Sequence, residues 1–368
     1  MAQPDKLPYF IALSRIPGIG CINAKSLIAW LGSVEAIFEA HESQLLKVPG
    51  IGRVLARSIV ENRNLDGGRQ ELQFIEKHKI NVWFYLDDDY PPRLKACVDA
   101  PLLLFSKGKI DWNCPKVVAM VGTRNATDYG RKVCDELIGG MAQRGGYTVV
   151  SGLAYGIDSA AHKVCLQHEV PTWGVLGHGL DRIYPVLHRP VAEKMLEQGG
   201  LITDFTSGTA IERQNFLRRN RIIAGLADAT IVIESGEKGG ALVTADIAGS
   251  YNRDVFAIPG RNSDVFSRGC NELIKTNKAN LIENLDDLEF FMGWQAKTNT
   301  APKIQRQLFF PLSDDEQLVV NALSETPIFV DQLCQLLQMP MGKVSALLLN
   351  LEFNGMVASL PGKMYKLM

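Results

Sequence analysis

The stretch VVAMVGTRNAT (117–127) decides the fold. It opens as an apolar, β-branched run without polar alternation, the pattern of a strand covered on both faces. It ends at Gly122, Thr123 and Arg124, in a polar turn carrying one guanidinium. Working outward, the same signal recurs as GYTVVSG, TWGVLG, GLITDF, DATIVIES, DVFAIPG and ANLIEN. Between these lie helical patterns such as GRKVCDELIGGMAQR, IDSAAHKVCLQHE, VAEKMLEQ, GALVTADIAGSYN and NELIKTN. Alternating strands and helices read as βαβ units. The expectation is an α/β protein with a central, extended Rossmann-like, doubly wound and mostly parallel sheet. Several strand candidates end in glycine, at Gly122, Gly152, Gly177, Gly236 and Gly260, which leaves room for a ligand backbone.

A second stretch, NFLRRNRIIAGLADATIVIES (215–235), sets Arg218, Arg219 and Arg221 around Asn220, before an apolar, helix-like IIAGLA. A helix N-terminus there would favour an anion through its free N–H groups and dipole. An isolated basic triplet can equally be a solvated surface run. Its position beside strand ends, where ligands bind in open parallel sheets, favours a polyanion site.

With 46% apolar and 21% charged residues, the 368-residue chain has the composition of a folded protein of two or three domains. A net charge of −1 excludes a generally polycationic binder, so a nucleic-acid site must be a local patch. MAQPDKLPYF lacks the features of a signal peptide, and no apolar run approaches the roughly 20 residues of a membrane span. A cytoplasmic location is expected. The seven cysteines are scattered without a C-x-x-C pair, which fits reduced, mostly buried thiols. The histidines form no H-E-x-x-H, so neither a metal site nor a cofactor is expected.

Residues 1–80 contain an internal repeat. IPGIGCINAKSLIAWLG (16–32) aligns with VPGIGRVLARSIVEN (48–62), keeping Pro17/Pro49, Gly18/Gly50, Gly20/Gly52, Ala24/Ala56 and Ser26/Ser58. Each copy reads as helix, tight hairpin, helix, similar to a tandem helix-hairpin-helix (SAM-like) domain. In this motif the glycines bring backbone N–H groups against phosphate, a contact that positions without reading sequence. The hairpins carry few bases (Lys25, Arg53 and Arg57), which leaves packing or protein contact open as their role.

Residues 81–290 form the expected main domain. It is entered through a strand-like VWFYL and a proline-broken stretch holding Pro91, Pro92 and Pro101. Asp87, Asp88 and Asp89 point in alternating directions on an extended chain, which favours a solvated turn over a metal site. Residues 291–311 read as a linker. Residues 312–368 read as three helices and a two-stranded hairpin around Pro361 and Gly362, the plan of a winged helix. Between Leu312 and Met368 acidic residues outnumber basic ones six to three. The third helix lacks the Arg, Asn and Gln density of a major-groove reader. This unit is expected to contact protein, or duplex only weakly.

In this order the pieces resemble the DNA processing protein A, or Smf, family. The resemblance rests on VGTRNATDYG, SGLAYGIDSAAHKVCL, GVLGHGLDRIYP, NFLRRNRIIAGLA, KGGALVTADIA, DVFAIPG and SRGCNELIK. It implies a non-enzymatic protein that binds single-stranded DNA during natural transformation, protects it and loads RecA recombinase, commonly as a homodimer. The resulting DNA-binding candidates are Gly122, Thr123, Arg124, Ser151, Gly152, Tyr155, Asn215, Arg218, Arg219, Asn220, Arg221 and Lys238. They are expected to form one patch. Ile247, Leu273 and Ile274 are candidates for an uncovered dimer surface. Three positions depart from the family pattern. Tyr155 stands where many relatives have a basic residue, Leu217 replaces a usual proline, and His188 falls where Asn is frequent.

The enzymatic alternative is a nucleotide phosphoribohydrolase of the lysine-decarboxylase-like group. That group shows a Pro-Gly-Gly-x-Gly-Thr-x-x-Glu loop. The comparable GEKGGALVTAD (236–246) lacks the pattern and its glutamate. Neither G-x-G-x-x-G after a strand nor G-x-x-x-x-G-K-[ST] occurs.

Overall fold

The computed structural model describes residues 4–295, 312–324, 326–360 and 364–367. The chain divides into two compact units, Met1–Gln295 and Ala296–Met368.

The larger unit is built on a nine-stranded sheet in the order β1-β2-β6-β5-β4-β3-β7-β8-β9. The strands are β1 (Asn81–Phe84), β2 (Leu103–Gly108), β3 (Lys116–Val121), β4 (Tyr147–Ser151), β5 (Thr172–Val175), β6 (Gly200–Thr203), β7 (Ala229–Val232), β8 (Asp254–Ala257) and β9 (Asn280–Leu281). From β6 through β9 every pairing is parallel; β1 and β2 add an antiparallel edge. Side chains of β3 alternate between two cores, as the pleat requires. Val118 and Met120 pack with helices α8 (Asp128–Arg144), α9 (Ile157–Gln167) and α14 (Leu285–Met292). Val117, Ala119 and Val121 pack with α11 (Arg213–Leu226), α12 (Gly240–Ser250) and α13 (Arg268–Lys275). Helix α7 (Pro92–Lys95) joins that second layer, and α10 (Arg189–Gln198) covers β5 and β6. Both faces of the central strands are therefore buried, which is why their sequences show no polar alternation.

The first residues form α1 (Leu7–Arg15), α2 (Cys21–Leu31), α3 (Val34–Glu39), α4 (Glu42–Leu45), α5 (Arg53–Glu61) and α6 (Asp66–His78). The two repeat hairpins turn at Gly18 and Gly50, with φ of +81° and +84°. The helical core is not closed on itself. Phe10 stacks on Phe84 at 4.1 Å, and Leu102, Leu103 and Phe105 of the antiparallel edge complete it. Proline-flanked LLLFSKG thus forms a sheet strand that pairs with the preceding β1 on one side and with the sequence-distant β6 on the other.

Two boundaries differ from the sequence expectation. Helix α11 starts at Arg213, so Arg218, Arg219 and Arg221 lie in mid-helix and not at its N-terminus. The expected linker begins too early, because Phe291 and Met292 end α14 and Trp294 packs edge-on against Tyr147 at 5.8 Å. Its remainder, 296–311, lies outside the described residues.

The smaller unit is a winged helix. Helices α15 (Asp314–Ala322), α16 (Val330–Leu337) and α17 (Met341–Phe353) enclose Val319, Leu333, Val344, Leu348 and Leu351. Strands β10 (Ile328–Phe329), β11 (Val357–Leu360) and β12 (Met364–Leu367) form a sheet ordered β10-β12-β11. Ser313 and Glu316 cap α15 reciprocally. Pro361 and Gly362, the expected wing turn, lie outside the described residues.

A Cβ at Gly18 would meet Leu55 at 2.8 Å with φ held at +81°. Gly18→Ala is therefore expected to cost more than about 1 kcal/mol, read as a lower unfolding midpoint in a denaturant titration.

Candidate nucleic-acid interface

The chain runs outward from β3 through β6 on one side, then returns to β7 on the other. This reversal creates the crevice where open α/β sheets bind ligands. A cleft of about 480 Å³ opens there. Thr123, Arg124 and Asn125 enter it from the loop after β3, and Ser235 and Gly236 from the loop after β7. Arg213, Leu217 and Asn220 come from α11, and Lys238, Gly239 and Gly240 from the start of α12. Arg124, Arg213 and Lys238 are exposed cations that make no ion pair among the described residues. Gly239, the N-cap of α12, offers no side-chain cap. The positive end of that dipole therefore faces the cleft.

The loop bearing Arg124 is held from beneath. Thr123 N–H donates to the Glu234 carbonyl at 2.8 Å, and the Thr123 carbonyl accepts from Ile157 N–H at 3.1 Å. The buried Glu234 carboxylate accepts from Thr127 N–H at 2.9 Å and from the Thr127 hydroxyl. Gly156, at φ +81°, allows the approach, since a Cβ there would lie 2.1 Å from the Thr123 carbonyl oxygen. The glycine of the SGLAYGID stretch thus serves the docking of the GTR loop.

Arg219 forms the floor. It is only 4% exposed, and its Nη1 donates to the carbonyls of Gly152 and Val175 at the ends of β4 and β5. A Cβ on Gly152 would strike that guanidinium at 2.6 Å and the Asp158 carboxylate at 2.6 Å. Burial lowers the Arg219 pKa to about 10 against the opposing pull of Asp158, which leaves it charged at neutral pH. Burial raises Asp158, with Arg219 acting in the opposite sense. Beneath them, burial and then Arg219 and His188 hold His162 down to about 3. Its Nδ1 lies 2.7 Å from the Thr172 hydroxyl.

The expected single patch is divided. Arg124, Arg219, Asn220, Gly122, Thr123 and Lys238 line the cleft, while Gly152 and Tyr155 line a hollow beside it. Ser151 is fully buried, its hydroxyl donating to the Met120 carbonyl at 2.6 Å. Asn215 is buried and donates to the Ala210 carbonyl at 3.0 Å. Arg221 points elsewhere, paired with Asp204 at 2.5 Å and bonded to the Asp99 carbonyl. Arg218 lies over the Phe205 ring at 5.3 Å and, with Arg221, borders a recess against Gly20 and Ala24 of the first hairpin. The reason is helical geometry: successive residues turn by about 100°, so a contiguous RRNR run cannot face one cleft. Arg213 and Phe216 went unrecognised in the sequence. They share a face with Leu217 and Asn220 at helical spacing, a signal visible once the helix is started at 213.

Of the proposed dimer residues, one is buried by its own chain and two are only partly covered. Leu273 is 6% exposed within the core, and Ile247 and Ile274 pack half-buried against it. The amphipathic pattern of α13 is spent on the sheet. No group of three or more potential metal ligands occurs among the described residues, and none of their helices is long and apolar enough to cross a membrane.

The sequence pattern of the DNA recombination-mediator protein A family matches residues 81–292, more than half of the chain. The chain belongs to this family, that of DNA processing protein A or Smf. The family's winged-helix domain matches 305–363, and a SAM-like helix-hairpin-helix tandem matches 10–62. Protein Smf of Synechocystis is 32% identical over 97% of this chain and 98% of its own length. The crystal structure of DNA processing protein A from Streptococcus pneumoniae superposes with a TM-score of 0.66 at 31% identity, covering 76% of this chain and 96% of that one. Its counterpart from Helicobacter pylori, solved to describe a single-stranded DNA binding mode, gives 0.53 at 26% identity over 59% of this chain and 96% of its own.

Two outcomes follow from the divided arginines and the buried histidine. Arg221→Ala leaves Asp204 buried without its partner and is expected to cost about 3–5 kcal/mol. Arg218→Ala is expected to stay within about 0.5 kcal/mol; chemical denaturation reads both. His162 stays neutral when folded, whereas the unfolded chain takes up a proton near pH 6.5. Its contribution to stability is therefore intact above about 6.5 and lost as pH falls toward 3. His162→Gln is expected to flatten the stability curve across that window.

Proposed function

We propose that the switch-point cleft binds the phosphates of single-stranded DNA. On this reading the chain is a non-enzymatic member of its family. It shields the strand in the cytoplasm and hands it to RecA recombinase. The observation that carries the reading is the convergence of three unpaired cations and an uncapped helix start on one cleft, in a chain of net charge −1. Positive and negative charges nearly cancel over the chain, yet three unpaired cations gather where the fold provides a crevice. The Helicobacter relative, described by its single-stranded DNA binding mode, supports the choice of ligand. Protection and RecA loading follow from the family resemblance. So does pairing of two copies, for which half-buried Ile247 and Ile274 are the candidates left on the surface.

Binding, and not base release, is the reading that the GEKGGALVTAD stretch (236–246) favours, since it lacks the glutamate pattern of the phosphoribohydrolases. Glu237 pairs with Arg268 at 3.2 Å and Asp246 with Lys278 at 3.0 Å. Both line a separate hollow, and the carboxylate that lines the cleft itself, Asp158, is buried beside Arg219.

Three phosphate contacts on a single strand give a log K against log[salt] slope of roughly −2, at about −0.7 each. Arg124→Ala should weaken poly-dT binding and make the slope shallower by about 0.7, measured by gel shift over a salt series. Unchanged affinity and slope would place the phosphates elsewhere.

A further inference from the structure

Helix α17 holds the place in the winged helix from which such units read a major groove. Here it shows an apolar face to solvent. Gly342, Ala346, Leu349 and Phe353 are all exposed, at spacings of four, three and four residues that set them along one side of the helix. Leu349 is 52% and Phe353 81% exposed. A Cβ on Gly342 would meet nothing within 4 Å, so the stripe begins in an open notch and ends on a projecting ring. The other side of α17 carries Val344, Leu348 and Leu351 into the core of the unit. The outer stripe is therefore not needed to hold the unit together.

Acidic groups flank this stripe on both sides. Successive residues turn by about 100°, so Lys343 and Asn350 lie on one flank and Ser345 and Glu352 on the other. On the first flank, Lys343 is paired with Asp315 at 2.6 Å. Glu316 caps α15 through Ser313, whose backbone N–H and then hydroxyl hold its carboxyl below the usual range, with the Asn350 side chain adding to the effect. It therefore stands charged beside Asn350. On the second flank, Glu352 accepts a hydrogen bond from the Ser359 hydroxyl. Neither Glu316 nor Glu352 makes an ion pair among the described residues, and the lysine of α17 is already engaged.

This pattern sorts the possible occupants. The phosphates of a duplex, or of an anionic lipid surface, would meet two acidic rims and no unpaired cation. A second copy fits the stripe in an antiparallel pair that seats Phe353 against Gly342. That pair sets each flank of α17 against the same flank of its partner, so the Glu316 rims would meet, and like charges facing each other across an interface are costly. An apolar strip between carboxylates instead complements a helix with apolar residues at the same spacing and cations on either side of them. We propose that the α17 face of the winged helix is the docking site for a cationic amphipathic helix of a partner protein. The surface is independent of the cleft in the larger unit.

The probe is a fluorescein-labelled peptide of about four helical turns, with leucines at the i, i+4, i+7 and i+11 positions, lysines on both sides of that stripe and alanines elsewhere. Its control has the same composition with the leucines scattered around the helix. Fluorescence anisotropy reads the binding of each to the full chain. The patterned peptide is expected to bind roughly 5- to 30-fold tighter than the control, and Phe353→Ser or Leu349→Ser to remove most of that margin. Glu352→Gln is expected to make binding of the patterned peptide less dependent on salt. All three side chains are exposed, so each variant should keep the wild-type melting curve and its affinity for oligo-dT. Equal binding of the two peptides, or serine variants that keep the full margin, would overturn the docking site. Self-association of the chain by light scattering that is lost in Phe353→Ser would overturn it in favour of a second copy. Binding of duplex or oligo-dT that is lost in the same variant would give the face to nucleic acid instead.

Discussion

A single guanidinium, Arg219, reaches from α11 under the ends of β4 and β5 and donates to the carbonyls of Gly152 and Val175. Burying such a charge costs several kcal/mol unless partners meet it. Here the partners are two strand ends and the nearby Asp158 carboxylate. The fold answers with consequences along the chain. Gly152 must lack a side chain, α9 must start where Asp158 meets the floor, and α11 must lie across the strand ends. That last placement is what carries Arg213 and Asn220 to the cleft.

A cleft with this floor need not be a cleft in a basic protein. Arg124 and Arg213 stand above a guanidinium already engaged by the Gly152 and Val175 carbonyls, so the outer cations are the ones left for a ligand. Of the other arginines of α11, Arg219 and Arg221 serve the architecture. Arg221 engages Asp204 and the Asp99 carbonyl, and Tyr251 at the end of α12 donates to the Asp99 carboxylate, which fastens α11 and α12 to the connection between β1 and β2. One basic run therefore divides between holding the scaffold and presenting charge.

The central sheet was legible because both-face burial leaves a simple mark: apolar runs such as VVAM and TIVI without alternation. The hairpin glycines were legible for a local reason, since only a turn at positive φ explains Gly18 and Gly50 in register. The role of Arg221 was not, because its partner Asp204 lies 17 residues away and only the tertiary fold brings them together. For Leu273 the sequence leaves the cover open, because an amphipathic helix has the same pattern whether its own sheet or a second copy covers it. The Tyr155–His188 contact joins positions 33 residues apart through a loop, and no periodicity could announce it.

The central claim concerns where the strand lies, and a crystal structure of the full chain with a short oligo-dT tests it most directly. The account predicts phosphates in the crevice between β3 and β7, within hydrogen-bonding reach of Arg124, Arg213 and Lys238, with the start of α12 facing the same anions. A strand found instead along the Gly18 and Gly50 hairpins, or on α17 of the winged helix, with that crevice holding only solvent, would contradict it.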